Sequence, residues 1–136
     1  MRIALALLLL ISLPLEADEI RLSDDLQVYP LTEHTWVHRS WEVIQGKRYP
    51  SNGRIIIEDD TLTLIDTAWG EAPTALLLDW MEQQFGKAPD LAILTHSHDD
   101  RMGGAQTLAE RGVPAWAHPA TLTIARSDPD TCYDPD

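Results

Sequence analysis

"DLAILTHSHDDRMGGAQTLAERG", Asp90 to Gly112, changes its period in mid-stretch. Asp90 to Thr95 is a short apolar run of the kind a fully buried strand carries. "GAQTLAERG" then reads as a two-turn helix ended by Gly112. A strand that feeds a helix through a short loop is the unit of a crossover connection, and it predicts a sheet with parallel strands. In such sheets ligands gather beyond the carboxyl ends of the strands. That is where His96, His98 and Asp100 stand. Two imidazoles and a carboxylate at alternating positions offer the ligand types zinc prefers. Gly103 and Gly104 let the backbone turn sharply there. Asp99 reads as a supporting or solvated carboxylate rather than a ligand.

Outward from this stretch the pattern continues in both directions. Downstream, "VPAWAH" predicts another strand and "PATLTIAR" another helix. Upstream, "PTALLLDWMEQQFG" places Leu76, Leu77, Trp80, Met81 and Phe85 at helical spacing, with Pro73 near its start and Gly86 after its end. Before it, "RIIIE" and "TLTLID" predict two strands about an Asp59-Asp60 turn. Leu26 to Tyr29 and Thr35 to Val43 alternate as half-buried strands, with Val37, Trp41 and Val43 on one side and His38, Ser40 and Glu42 on the other. "QGKRYPSNG", Gln45 to Gly53, reads as a loop. Trp36, Trp41 and Trp80 are expected in an aromatic core. The fold class is α/β (α+β): a meander of hairpins followed by crossovers on a mixed sheet, without repeats or linkers.

A chain of 136 residues holds one modest domain, and 44% apolar with 24% charged residues is ordinary globular composition. The net charge of −12 repels phosphate backbones and anionic lipid, which argues against nucleic acid as a partner. Residues 1–17, "MRIALALLLLISLPLEA", read as a secretory signal: Arg2, an apolar run from Ile3 to Leu13, then Pro14. The run is shorter than the roughly 20 residues that span a bilayer, so no stable membrane anchor is expected. Cys132 has no second cysteine to pair with in this sequence, so no intramolecular disulfide is expected. Export without disulfides points to a bacterial-type periplasm or the outside, and the periplasm is the expected location.

"THSHDDRMGG" resembles the signature of the metallo-β-lactamase superfamily, His-x-His-x-Asp. Where most members carry a further histidine this chain has Arg101, as the first-subclass zinc β-lactamases do. "LIDTAWGE", Leu64 to Glu71, is similar to the family segment before its first helix, and the hairpin near Gln45 to Pro50 lies where the family has a flap over the substrate. The resemblance implies the N-terminal half of an αββα sandwich and zinc-dependent hydrolysis of the β-lactam amide, hence antibiotic resistance, with a β-lactam as the small-molecule partner of a monomer. It implies two zinc ions in the complete enzyme. His96 and His98 would bind the first and Asp100 the second, with Arg101 outside the ligands, helping fix the side of the second site's cysteine. Asp100 would also act in catalysis, orienting the attacking water, which zinc acidifies to a pKa of about 7. Trp69 would line the substrate cleft.

The family's other ligands, a histidine, a cysteine and a final histidine, fall in its second half. His118, Cys132, His34 and His38 are poor substitutes and read as structural or surface residues. The expected organisation is therefore residues 1–17 as signal, 18–126 as the front half of the domain, and 127–136 as a disordered or divergent tail. Alone, this chain is expected to bind zinc weakly and hydrolyse no β-lactam, since catalytic zinc normally has three protein ligands. Two alternatives stand beside this reading: a thioester or lactone hydrolase of the same fold, which Arg101 argues against, and an inactive exported metal-binding fragment.

Overall fold

The computed structural model describes residues 18–127; residues 1–17, read above as a secretory signal, Cys132 and the residues beyond Ser127 lie outside the described residues. Chain order and sheet order coincide. Strands β1 (Ile20–Ser23), β2 (Leu26–Thr32), β3 (Thr35–Ile44), β4 (Lys47–Glu58) and β5 (Thr61–Ile65) pair successively antiparallel; β6 (Leu91–Leu94) and β7 (Ala115–Ala117) continue the same sheet in parallel. Helix α1 (Glu71–Phe85) crosses from β5 to β6. Helices α2 (Asp99–Met102) and α3 (Ala105–Glu110) cross from β6 to β7, and α4 (Pro119–Ser127) follows. The switch from antiparallel to parallel falls where the sequence changes from tight turns to helical spacing.

The helices cover one face of the sheet. Leu26, Val28, Ile55, Leu62, Leu64, Ala92 and Leu94 point to it from the strands and meet Leu77, Leu78, Met81, Leu108 and Val113. In α1 the buried positions Thr74, Leu77, Leu78 and Met81 recur at three and four residues, one stripe of the helix. Trp36, Trp80 and Phe85 close one end of this core, with ring centroids 5.2 to 6.0 Å apart in tilted and edge-on arrangements. Trp41 does not join them. It lies on the opposite face of the sheet, with the Arg48 guanidinium 4.4 Å from its ring centre. On that face Ile93 and Trp116 are cross-strand neighbours and both exposed.

Gln45 to Gly53 is not the loop its composition suggests. Gln45 and Gly46, with φ of 52° and 77°, make a two-residue hairpin turn, and β4 runs straight through "KRYPSNG". Pro50 is tolerated because this part of β4 pairs only with β3; β5 joins at Arg54. The hairpin is pinned at its side by Arg48, which donates to the Asp24 carbonyl and, at 2.9 Å, to the Asp25 carboxylate.

The side of β3 that carries His38 and Ser40 is the helix-covered one, and both residues are 1% exposed. His38 fits because its partner in β4 is Gly53. A Cβ on residue 53 would stand 2.1 Å from His38 Nε2 and 2.4 Å from the Ile65 carbonyl oxygen. Gly53→Ala is therefore expected to cost about 1–3 kcal/mol or more, the range for overfilling a packed interior. In urea unfolding of the full-length protein this reads as a lower midpoint at unchanged slope. A wild-type midpoint would mean the ring does not occupy that space.

Candidate metal centre

β6 ends at Leu94, and the chain leaves the sheet edge as Thr95 to His98. His98 is extended (φ −76°, ψ 153°), and its carbonyl accepts the amides of Arg101 and Met102, both at 2.9 Å. That closes one helical turn, α2, which sequence periodicity alone did not predict. The turn brings Asp100 back over His96, Nε2 to Oδ1 3.7 Å. The His96 and His98 rings meet edge-on with centroids 5.0 Å apart. His96 and His98 are exposed and Asp100 is half-buried, with one donor atom from each lying within 4.8 Å of the others. The three predicted ligands are thus together at the carboxyl end of a parallel strand.

Two segments that precede this loop in the chain, Ser51 and Asn52 on β4 and Asp66 and Thr67 after β5, hold it. Asp66, 4% exposed and left-handed at φ 62°, accepts the Thr95 amide on Oδ1 at 2.7 Å and the Thr95 hydroxyl on Oδ2 at 3.0 Å. Burial raises the Asp66 pKa; the two Thr95 bonds and the positive charges of Arg101 and His96 oppose it. Arg101 places Nε 3.2 Å from Asp100 Oδ2 and Nη1 3.8 Å from Asp66 Oδ2, and Nη1 also donates to the Asn52 carbonyl. Ser51 Oγ lies 3.0 Å from the Asp100 carbonyl and 3.2 Å from its carboxylate. Thr67 grips the far side: its amide donates to the Arg101 carbonyl at 2.9 Å, and its hydroxyl accepts the Gly104 amide at 3.1 Å. Gly104 must be glycine, because a Cβ there would fall 2.0 Å from Thr74 Oγ1 on α1.

The remaining histidines are elsewhere. His34 is exposed, 3.2 Å from the Glu33 carboxylate. His118 accepts the Ala120 amide at 3.1 Å, closing the start of α4. His38 is buried beneath the Asp66 turn. Trp69 is half-buried just past β5, its amide donating to Ser40 Oγ at 2.9 Å. Ser51, Asp66, Thr67 and Thr95 were not singled out in the sequence. They belong to "PSNG", "LIDT" and "ILT", where polar residues interrupt or end strands without any spacing of their own.

The three side chains fit a metal. Zinc bonds of 2.0–2.2 Å put neighbouring ligand atoms about 3.4 Å apart in a tetrahedral site. The present spread closes to that by small rotations of exposed imidazoles. Ser51 and Arg101, which already orient the Asp100 carboxylate, are the outer supports that metal ligands commonly have.

The sequence profile of the metallo-beta-lactamase superfamily matches residues 46–133. The chain belongs to this superfamily. It is similar to the "Metallo-beta-lactamase type 2" of Bacillus cereus, 33% identical over 103 residues, and to that of Bacteroides fragilis, 30% identical over 108 residues. These alignments cover 76% and 79% of the chain but only 40% and 43% of the relatives, so the chain spans about two fifths of their length. Among solved structures, the metallo-beta-lactamase of Erythrobacter litoralis superposes with a TM-score of 0.75 at 32% identity. It covers 81% of this chain and 48% of that one. The FIM-1 enzyme of Pseudomonas aeruginosa, solved in its mono-zinc form, gives 0.71 at 30% identity, covering 79% and 49%. The mixed sheet and its helices are those of the superfamily's hydrolases. Among the described residues no helix is long and apolar enough to cross a membrane.

Proposed function

We propose that the complete protein is an exported, periplasmic zinc hydrolase that opens the amide of β-lactams and acts as a monomer. The observation that carries this reading is the convergence of His96, His98 and Asp100, with Arg101 rather than a third imidazole beside them. His96 and His98 would hold one zinc ion and Asp100 a second, each completed by residues other than these three. Zinc, when bound, supplies Lewis acidity and a water molecule acidified towards neutral pH. Asp100, held by Ser51 and Arg101, would orient a water at the site and take up a proton from it. Arg101, with Nε 3.2 Å from Asp100 Oδ2, keeps that carboxylate turned to the site. Trp69 lines the cleft beside it.

The test is hydrolysis of a chromogenic β-lactam by the full-length protein, set against thioester and lactone substrates, with and without a chelator. Turnover of the β-lactam that a chelator abolishes and zinc restores is expected. Chelator-sensitive turnover of thioester or lactone alone would reassign the substrate class. Stoichiometric zinc with turnover of none would leave a metal-binding protein.

A further inference from the structure

The buried imidazole of His38 takes no part in the metal centre, yet it sits directly under the turn that supports it. Its Nε2 lies 3.3 Å from the Ile65 carbonyl oxygen and 3.2 Å from that of Asp66. Both neighbours are acceptors, so the ring carries its proton on Nε2. Among the described residues Nδ1 has no hydrogen-bond partner, and burial holds the pKa down at about 4, so the ring is neutral.

The two carbonyls belong to the peptide units on either side of the Asp66 Cα. Their orientation is therefore the φ and ψ of Asp66. The other ends of the same units are engaged as well: the Asp66 amide donates to the Ile93 carbonyl and the Thr67 amide to that of Arg101, each at 2.9 Å. The remaining freedom of this left-handed residue is in its carbonyls, and His38 takes both. It reaches them across β4 only because Gly53 has no side chain. Asp66 in turn presents its carboxylate to the amide and hydroxyl of Thr95, the residue before His96.

We propose that His38 is a positioning residue for the metal loop, fixing the left-handed Asp66 so that its carboxylate sets the place of Thr95 and hence of His96. The link from His38 to Thr95 stands independently; the link on to metal affinity rests on the metal centre proposed above.

The test uses His38→Leu, which keeps apolar bulk and loses the donor, and His38→Gln, whose amide restores a donor near the Nε2 position. Two readouts are taken on the full-length protein: hydrogen exchange of the Thr95 amide in the metal-free state, relative to the Ala92 amide within the sheet, and zinc titration. In His38→Leu the Thr95 amide is expected to exchange at least about tenfold faster relative to Ala92. Zinc affinity is expected to fall about 10–100-fold, the range for groups that orient a ligand from behind. In His38→Gln both are expected within a few-fold of wild type. Unchanged Thr95 protection in His38→Leu would overturn the proposal, as would equal loss of both readouts in the two variants. If His38→Leu does not fold, His38→Gln decides: near-wild-type values uphold the role, and loss in a folded variant overturns it. If the wild type takes up no zinc while Thr95 still responds to the donor, the metal centre fails and the positioning role stands.

Discussion

His96→Ala or His98→Ala in the full-length protein is expected to remove stoichiometric zinc binding and, with it, chelator-sensitive turnover. Each deletes a donor atom from the cluster, so the effect should exceed the ~100-fold loss seen when only an outer support is removed. The fold should survive. Both side chains are exposed, outside the core, and their removal opens no cavity. Circular dichroism and the urea midpoint of the metal-free proteins should therefore match wild type, while zinc content falls below one equivalent. A variant that keeps full zinc and near-normal turnover would remove that histidine from the site.

The second large effect is on stability in acid. His38 has a folded pKa of about 4 against 6.5 when unfolded, chiefly because burial excludes the charged ring from water. Its two carbonyl acceptors favour the protonated form but do not outweigh burial, and the Arg101 charge adds to the lowering. Above pH 6.5 the ring is neutral in both states and contributes no pH dependence. Between pH 6.5 and about 4 only the unfolded chain takes up the proton, so stability falls as acid is added and levels off below the folded pKa. At 1.36 kcal/mol per pKa unit the loss is about 3 kcal/mol. Asp66, whose raised pKa acts in the opposite sense over a window that begins at 3.8 and extends upward, is common to wild type and variant. Metal-free wild type is thus expected to lose about 3 kcal/mol more than His38→Gln between pH 7 and pH 4 in urea titrations. Parallel curves for the two proteins would show the ring solvated rather than buried.

Much of this architecture was legible in the sequence. The β5–α1–β6 and β6–α3–β7 crossovers show as changes of period, and His96, His98 and Asp100 show as ligand types beyond a strand end. Their convergence agrees with that reading. What misled was composition at the hairpin. Gly, Pro and Asn in "QGKRYPSNG" signal a loop, but a two-stranded ribbon free on one side accepts Pro50, and Gly53 is demanded by a ring from the neighbouring strand. His38 was read as structural, without any sign of its near-complete burial. An alternating strand shows that two faces differ, but not which of them the helices cover. A polar residue on the covered face is visible only once its acceptors, 27 and 28 residues away, are in place. The supports Ser51, Asp66 and Thr67 are hidden for the same reason, since each acts through a partner at least 29 residues distant.

The coincidence of sheet order with chain order bears on how the protein is made. Every strand in the described residues pairs only with strands adjacent to it in the chain, so a polypeptide emerging from its N-terminus always finds its docking edge already built. Four of the six pairings close over tight turns and carry little loop-closure entropy; only the two helical crossovers span longer separations. Ser51, Asp66 and Thr67 all precede the segment they grip, so the clasp is assembled before the histidines arrive and the metal loop can settle during synthesis.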